Sequence, residues 1–118
     1  MTEDELQAAL EKSLPADGRH GLFVEECQDQ DVRLRFSPGN VSTATLLALT
    51  EIALRAAAGP DAELTHLNVT RLRAAQAADI VTLSRVIRRD GGLVHAEAWL
   101  FSHAAIEPVL HTTATLKR

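Results

Sequence analysis

The sequence has 118 residues, of which 46% are hydrophobic and 24% charged, a balance typical of a globular domain and not of a disordered chain. A net charge of −4, with only three phenylalanines and one tryptophan, argues against a nucleic-acid-binding protein. Such proteins hold phosphates with clustered cations and stack bases on aromatic rings. Cys27 is the only cysteine, which excludes a disulfide within the chain and favours a reducing compartment.

The first predicted element is a short helix within residues 1–14. Thr2 and Glu5 have the spacing of a capping box, and leucines then recur at helical spacing on one face: Leu6, Leu10 and Leu14. This acidic segment lacks the apolar core of a signal peptide, and no run reaches the roughly 18 apolar residues of a membrane span. We therefore expect a cytoplasmic protein that does not bind membranes. Residues 21–27 and 32–36 follow as a predicted hairpin, since apolar and charged side chains alternate in the second segment.

The longest apolar segment, residues 43–58, is predicted to form a second helix. It contains neither glycine nor proline, and alanine and leucine dominate it. At about 100° per residue, apolar side chains cover all of its circumference except one narrow stripe, which indicates a buried helix. The stripe consists of Ala44, Ala48, Glu51 and Arg55.

The rest of the chain is predicted to form strands. The four segments are rich in β-branched residues and separated by turn signals: residues 64–73, 79–89, 93–101 and 108–118. Strands that follow one another through short turns form an antiparallel sheet, whose apolar face would wrap around the second helix. Residues 1–118 are therefore predicted to form a single α+β domain.

This order of elements resembles the hotdog fold, an antiparallel β-sheet wrapped around a long central α-helix. The segments LALTEIALRAAAG and LTHLNVTRLRAAQAADIVTLSRVIRRDGGLVHAEAWLF are similar to the acyl-CoA thioesterases of the phenylacetate-pathway and 4-hydroxybenzoyl-CoA type. That family carries an acid on the central helix in a small-Leu-x-Asp/Glu-x-Ala setting, which here is residues 48–53. The resemblance covers roughly residues 14–118. It implies hydrolysis of acyl-CoA by a homodimer or homotetramer, at the dimer interface, without a cofactor beyond the coenzyme A of the substrate.

The resemblance also implies which residues form the site. Glu51 takes the place of the family's catalytic acid, and Thr43 that of the glycine whose amide faces the thioester oxygen. The backbone amides of Thr43 and Ala44 are the expected oxyanion donors, with Ser42 to Ala44 standing where the family usually has His-Gly-Gly. Phe36 occupies the position of an Asn or Gln that the family often has, and Asn40 is the expected substitute.

Further residues are expected to bind substrate. Arg55 would keep Glu51 ionised, and Arg88 with Arg89 would hold the phosphates of coenzyme A. The remaining members of this set would orient the substrate: Ser42, Thr65 and Asn68. Each residue also has a structural interpretation, since Glu51 and Arg55 have the i,i+4 spacing of a surface ion pair, and Ser and Thr favour helix starts.

Two other functions remain open from the sequence. One is a hotdog module that binds an acyl or aromatic ligand without turnover, and the other is an interaction domain whose function is the dimer itself. The five histidines and the single cysteine show no ligand spacing, so no metal site is predicted.

Overall fold

The computed structural model of the protein describes residues 1–29, 31–76 and 78–118. Within them the chain forms two α-helices, a short 3-10 turn at Ala16–Gly18 and one six-stranded sheet. The helices are α1 (Glu3–Ser13) and α2 (Thr43–Ala58). The strands are β1 (Phe23–Gln28), β2 (Asp31–Phe36), β3 (Glu63–Arg71), β4 (Ile80–Asp90), β5 (Leu93–Ser102) and β6 (Leu110–Lys117). Neither helix is long and apolar enough to cross a membrane, as far as the described residues go.

Helix α1 begins at the predicted capping box. The Thr2 hydroxyl accepts a hydrogen bond from the Glu5 amide at 3.2 Å, and the Glu5 carboxylate accepts one from the Thr2 amide at 2.9 Å. Leu6 and Leu10 are buried, so the predicted apolar face is confirmed. The Gln7 side chain bonds to the backbone of Leu22 and Val24 and fastens α1 to the start of β1.

The sheet has the strand order β1-β2-β4-β5-β6-β3, and every neighbouring pair is antiparallel. The predicted hairpins are confirmed, including the tight turn between β4 and β5, where Gly91 adopts a φ of 63° that a glycine tolerates without strain. Strand β3 follows α2 in the chain but lies beyond β6, at an edge of the sheet. Strands β5 and β6 lie between β3 and β4, so the residues of β3 are neighbours of β6 and not of β4.

Helix α2 packs against one face of the sheet, as its apolar circumference predicts. Leu46, Leu49 and Ala53 are fully buried against inward-facing strand residues such as Leu34 and Leu100. On the opposite side of the helix the predicted stripe is confirmed, with its alanines and Glu51 exposed. The architecture is thus a six-stranded antiparallel sheet with a 16-residue helix on one face.

The face of the sheet turned away from α2, called the outer face below, carries a half-buried polar cluster. The Glu97 side chain is only 12% exposed, and its carboxylate contacts Arg85 Nε at 2.6 Å and His111 Nε2 at 3.0 Å. The His111 ring stacks on Trp99 with ring centroids 3.8 Å apart. Burial raises the pKa of the Glu97 carboxyl, but the hydrogen bonds from His111 and Arg85 outweigh it and hold the pKa below its usual range.

We expect the Glu97→Gln variant to be less stable than the wild type by about 1–3 kcal/mol near pH 6, because Arg85 and His111 lose a charged partner. A carboxyl whose pKa is lowered by folding contributes stability above its unfolded pKa, and this contribution is lost as the pH falls through the folded pKa. Urea unfolding near pH 6 and near pH 3 measures the difference, which should shrink at the lower pH. Glu26→Gln, at an exposed position of β1, is the control. A gap of the same size at both pH values would contradict the prediction.

Candidate active site

The start of helix α2 is fixed by polar side chains of the preceding loop. The Ser42 hydroxyl accepts a hydrogen bond from the Thr45 amide at 3.2 Å. Asn40 Oδ1 accepts from the Ser42 amide at 3.2 Å and from the Thr45 hydroxyl at 2.6 Å. The first amides of a helix have no partner within the helix, so those of Thr43 and Ala44 point out of its end. Ser42 and Asn40 therefore act as caps, and the two amides predicted as donors remain directed away from the helix.

Arg71, at the end of β3, contacts this helix start and was not predicted as a site residue. Its Nη1 donates to Thr43 Oγ1 at 2.8 Å, which holds the threonine side chain towards β3. A cation beside a helix N-terminus is unfavourable by itself, because the helix dipole already places partial positive charge there. Together the guanidinium and the amides suit a negatively charged or strongly polarised oxygen. The sequence of β3 does carry a signal for this position. Leu67 and Arg71 lie an even number of residues apart, so alternation places Arg71 on the same face of the strand as the apolar Leu67.

Glu51 lies on the exposed stripe of α2, where its side chain is 49% exposed. Its Oε2 is 3.4 Å from Arg55 Nη1, so the predicted i,i+4 contact is present. Arg55 Nε also donates to the Ala62 carbonyl at 3.1 Å, which anchors the guanidinium beside the carboxylate. The carboxylate is the one acidic group on the exposed stripe of a helix whose opposite side is buried, and it is open to solvent, as a group acting on an external substrate must be.

Glu51 lies too far from the start of its own helix for both to act on the same carbonyl group. Eight residues separate Thr43 from Glu51, which at 1.5 Å per residue is about 12 Å along the helix axis. A donor amide and an attacking group must each lie about 3 Å from the same carbonyl group. Within one helix the two groups are too far apart for that.

The other predicted substrate-binding residues lie on the sheet. The Thr65 hydroxyl donates to the Thr115 carbonyl at 3.0 Å and is thus used within the sheet. Asn68 is paired with Thr113, and Arg88 with His95, on the outer face. The structure therefore does not bring these two residues together with Glu51 within one chain.

Arg89 is exposed near the end of β4, opposite Val94, and its predicted contact with coenzyme A stays a prediction. Among residues 1–29, 31–76 and 78–118, no group of three or more His, Cys, Asp or Glu side chains is arranged to hold a metal ion.

The chain has the hotdog fold of solved thioesterase-superfamily structures. A proposed thioesterase of Silicibacter sp. superposes with a TM-score of 0.84 at 21% identity, over 99% of this chain and 91% of that chain. Thioesterase superfamily member 2 of Mus musculus superposes with a TM-score of 0.81 at 11% identity, over 98% of this chain and 96% of that chain. A proposed thioesterase of Ralstonia eutropha, related to phenylacetic acid degradation, superposes with a TM-score of 0.77 at 18% identity, over 96% of this chain and 98% of that chain. No family model and no curated protein matches the sequence.

These comparisons confirm the predicted antiparallel hotdog sheet and the resemblance to the phenylacetate-pathway type, whereas the predicted long central helix is a helix of 16 residues. TM-scores of 0.77 to 0.84 establish a shared fold, but at identities of 11% to 21% function has to be argued from the site itself.

Proposed function

We propose that the protein is a homodimeric thioesterase that hydrolyses acyl-CoA to the free acid and coenzyme A. One observation carries the proposal: helix α2 has its first amides directed out of its start, without a partner among the described residues, and a single exposed carboxylate, Glu51, on its exposed stripe. These are the two features that thioester hydrolysis needs, a base or nucleophile and donors for the developing oxyanion. The shared fold with thioesterase-superfamily structures supports the same function.

In the simplest form of the reaction Glu51 acts as a general base. Its carboxylate takes a proton from water while the water oxygen forms a bond to the thioester carbon. Negative charge then develops on the carbonyl oxygen, where the Thr43 and Ala44 amides stabilise it. Collapse of this tetrahedral species breaks the carbon–sulfur bond, and the departing thiolate receives the proton from Glu51. In the alternative form Glu51 attacks the carbon directly and the carbon–sulfur bond breaks, so that coenzyme A leaves as the thiolate. Water then hydrolyses the resulting anhydride, which releases the acid, restores the Glu51 carboxylate and supplies the proton that the thiolate takes up. Neither form requires a cofactor.

The proposed site is completed by a second copy of the chain. Because about 12 Å separates Thr43 from Glu51 along the axis, the acid of one chain would act with the helix start of its partner. Ala44 and Ala48 have short, exposed side chains, so that another helix can approach the exposed stripe of α2 closely. Strand β3 is a nine-residue edge strand, and no strand of the described residues pairs with its other edge, to which a second β3 can add. A two-fold axis between the copies makes both sites equivalent, and a tetramer would be two such dimers.

Arg71 is expected to support this site from beside the helix start. We expect Arg71→Gln to lower kcat/KM for acyl-CoA by about tenfold, since one charge-assisted contact near the developing oxyanion is lost. Thiol release over a range of substrate concentrations measures the effect. Arg33→Gln, which removes an arginine paired with Glu25 on the outer face, is the matched control. Equal kinetics for the two variants would show that Arg71 does not act on the reaction.

The proposed activity is tested by incubating the purified protein with a panel of short, long and aromatic acyl-CoAs and following free thiol. Turnover of at least one class is expected, with the dimer present in solution. Absence of turnover on every class would overturn the proposal.

A ligand-binding module without turnover is the second candidate. The observation that favours it is the side chain of Thr43, which occupies space at the helix start that a glycine would leave open for a ligand. Tight binding of an acyl-CoA without thiol release would support this candidate.

A further inference from the structure

Four side chains form one row across the outer face of the sheet. Arg88 is paired with His95 of β5, His95 with Thr115 of β6, and Thr115 with His66 of β3. Neighbouring strands lie about 4.8 Å apart, so the row spans roughly 14 Å. The four residues, called the basic row below, line an open depression of about 290 Å³.

The basic row gathers hydrogen-bond donors and positive charge without a matching carboxylate. It offers one guanidinium, two imidazoles and one hydroxyl, and no acidic residue lines the depression. Among the ion pairs of the described residues, none involves Arg88, His66 or His95. Glu97, two residues along β5 from His95, is already held by Arg85 and His111. An anion in the depression would therefore meet donors that no carboxylate of the described chain occupies.

The contact between His95 and Thr115 gives the row a further donor in one tautomer of the neutral His95 ring. His95 Nδ1 lies 3.4 Å from the Thr115 hydroxyl. When that hydroxyl donates to Nδ1, the neutral ring carries its proton on Nε2, which is then a donor to a ligand. On the β3 side, the bond from the Thr65 hydroxyl to the Thr115 carbonyl ties β3 to β6 next to His66.

The chemistry of the row selects a phosphate group. A guanidinium and several N–H donors match the multiple acceptor oxygens of a tetrahedral dianion. A metal ion would be repelled by Arg88, and three metal ligands do not come together anywhere in the described residues. A nucleic acid needs cations spread along many phosphates, whereas this row is short and the chain carries a net charge of −4. Ile87, which is 55% exposed at the rim, offers an apolar contact for an organic part of the ligand.

We propose that the basic row binds the phosphate monoester group of a small phosphorylated compound. The site lies on the outer face, away from Glu51, and its occupation does not depend on the proposed hydrolysis.

Inorganic phosphate is the probe for the direct test. Histidine ring C–H signals are followed by NMR in the Glu51→Gln protein while phosphate replaces chloride at constant ionic strength. The signals of His66 and His95 are expected to shift and saturate, and those of His20 and His103 to stay in place. Binding is expected to be about tenfold weaker in Arg88→Gln and unchanged in Arg33→Gln, which removes the same charge from β2, where Arg33 is paired with Glu25.

Three results would overturn the proposal. The first is the absence of a saturable shift with phosphate. The second is equal phosphate binding by the Glu51→Gln protein with and without the added Arg88→Gln change. The third is a saturable shift of the His66 and His95 signals with Zn²⁺ but not with phosphate.

Two further ligands identify the source of the phosphate group once phosphate binds. Coenzyme A carries a phosphate monoester that dephospho-coenzyme A lacks. If coenzyme A binds more tightly than dephospho-coenzyme A, and Arg88→Gln removes the difference, the row holds the monoester of coenzyme A. If both bind equally and independently of Arg88, the row serves free phosphate or another phosphorylated compound.

Discussion

Replacing Glu51 by glutamine is expected to lower thioester hydrolysis by a factor of about 10²–10⁴, the usual contribution of a general base. The amide keeps the shape of the side chain and can still contact Arg55, but it can neither take a proton from water nor attack the carbonyl. The loss is expected in kcat, with acyl-CoA binding retained, because the substrate contacts remain. Rates of thiol release under saturating substrate measure it.

The fold is expected to tolerate this change. A solvent-exposed i,i+4 pair such as Glu51 with Arg55 contributes only about 0.2–0.5 kcal/mol to the free energy of unfolding. Glu11→Gln, which removes a carboxylate from α1, is the control for the change in net charge. Wild-type turnover in Glu51→Gln would mean that the carboxylate is only half of a surface ion pair, and the proposed mechanism would be wrong.

The elements of this fold that could be predicted are those whose cause is local. The capping box of Thr2 and Glu5 lies within four residues, and the alternation of β2 lies within one strand. The bounds of α2 follow from the absence of Gly and Pro between residues 43 and 58, and its exposed stripe follows from helical periodicity. Each of these patterns can be recognised without knowing which strands are neighbours.

The contacts that escaped prediction depend on the position of β3 in the sheet. Arg71 reaches Thr43 across 28 positions of the sequence, and His66 lies beside Thr115 because β3 pairs with β6 and not with β4. Periodicity assigns a side chain to a face of its strand, but not to a neighbouring strand. The prediction that Arg88 binds the phosphates of coenzyme A had the same limit, since only the pairing of Arg88 with His95 shows which side chains lie beside it on the outer face.

Replacing Thr43 by proline is expected to remove one oxyanion donor without breaking the helix. Proline is favoured at the first position of a helix, where its missing N–H had no helical partner. Ser42 already has the extended conformation that a residue before proline needs, with φ −62° and ψ 160°. We expect hydrolysis to fall by about 10²–10³-fold, the effect of losing one such donor. Thr43→Ala keeps the amide while it removes the hydroxyl contact with Arg71, and it should lose far less activity. Equal losses in the two variants would show that the amide is not the donor.

Mixing the two inactive proteins tests whether each site is shared between two chains. A dimer of one Glu51→Gln chain and one Thr43→Pro chain has one site with both defects and one site with neither, if the acid of each chain acts with the helix start of its partner. Random exchange of subunits at equal concentrations makes half of the dimers mixed, so about a quarter of the wild-type activity should return. If each chain used its own acid and its own helix start, every site would carry one defect and no activity would return. Recovery of activity after unfolding and refolding the mixture, compared with each variant refolded alone, therefore separates the two arrangements, and the separation of about 12 Å along α2 predicts the shared one.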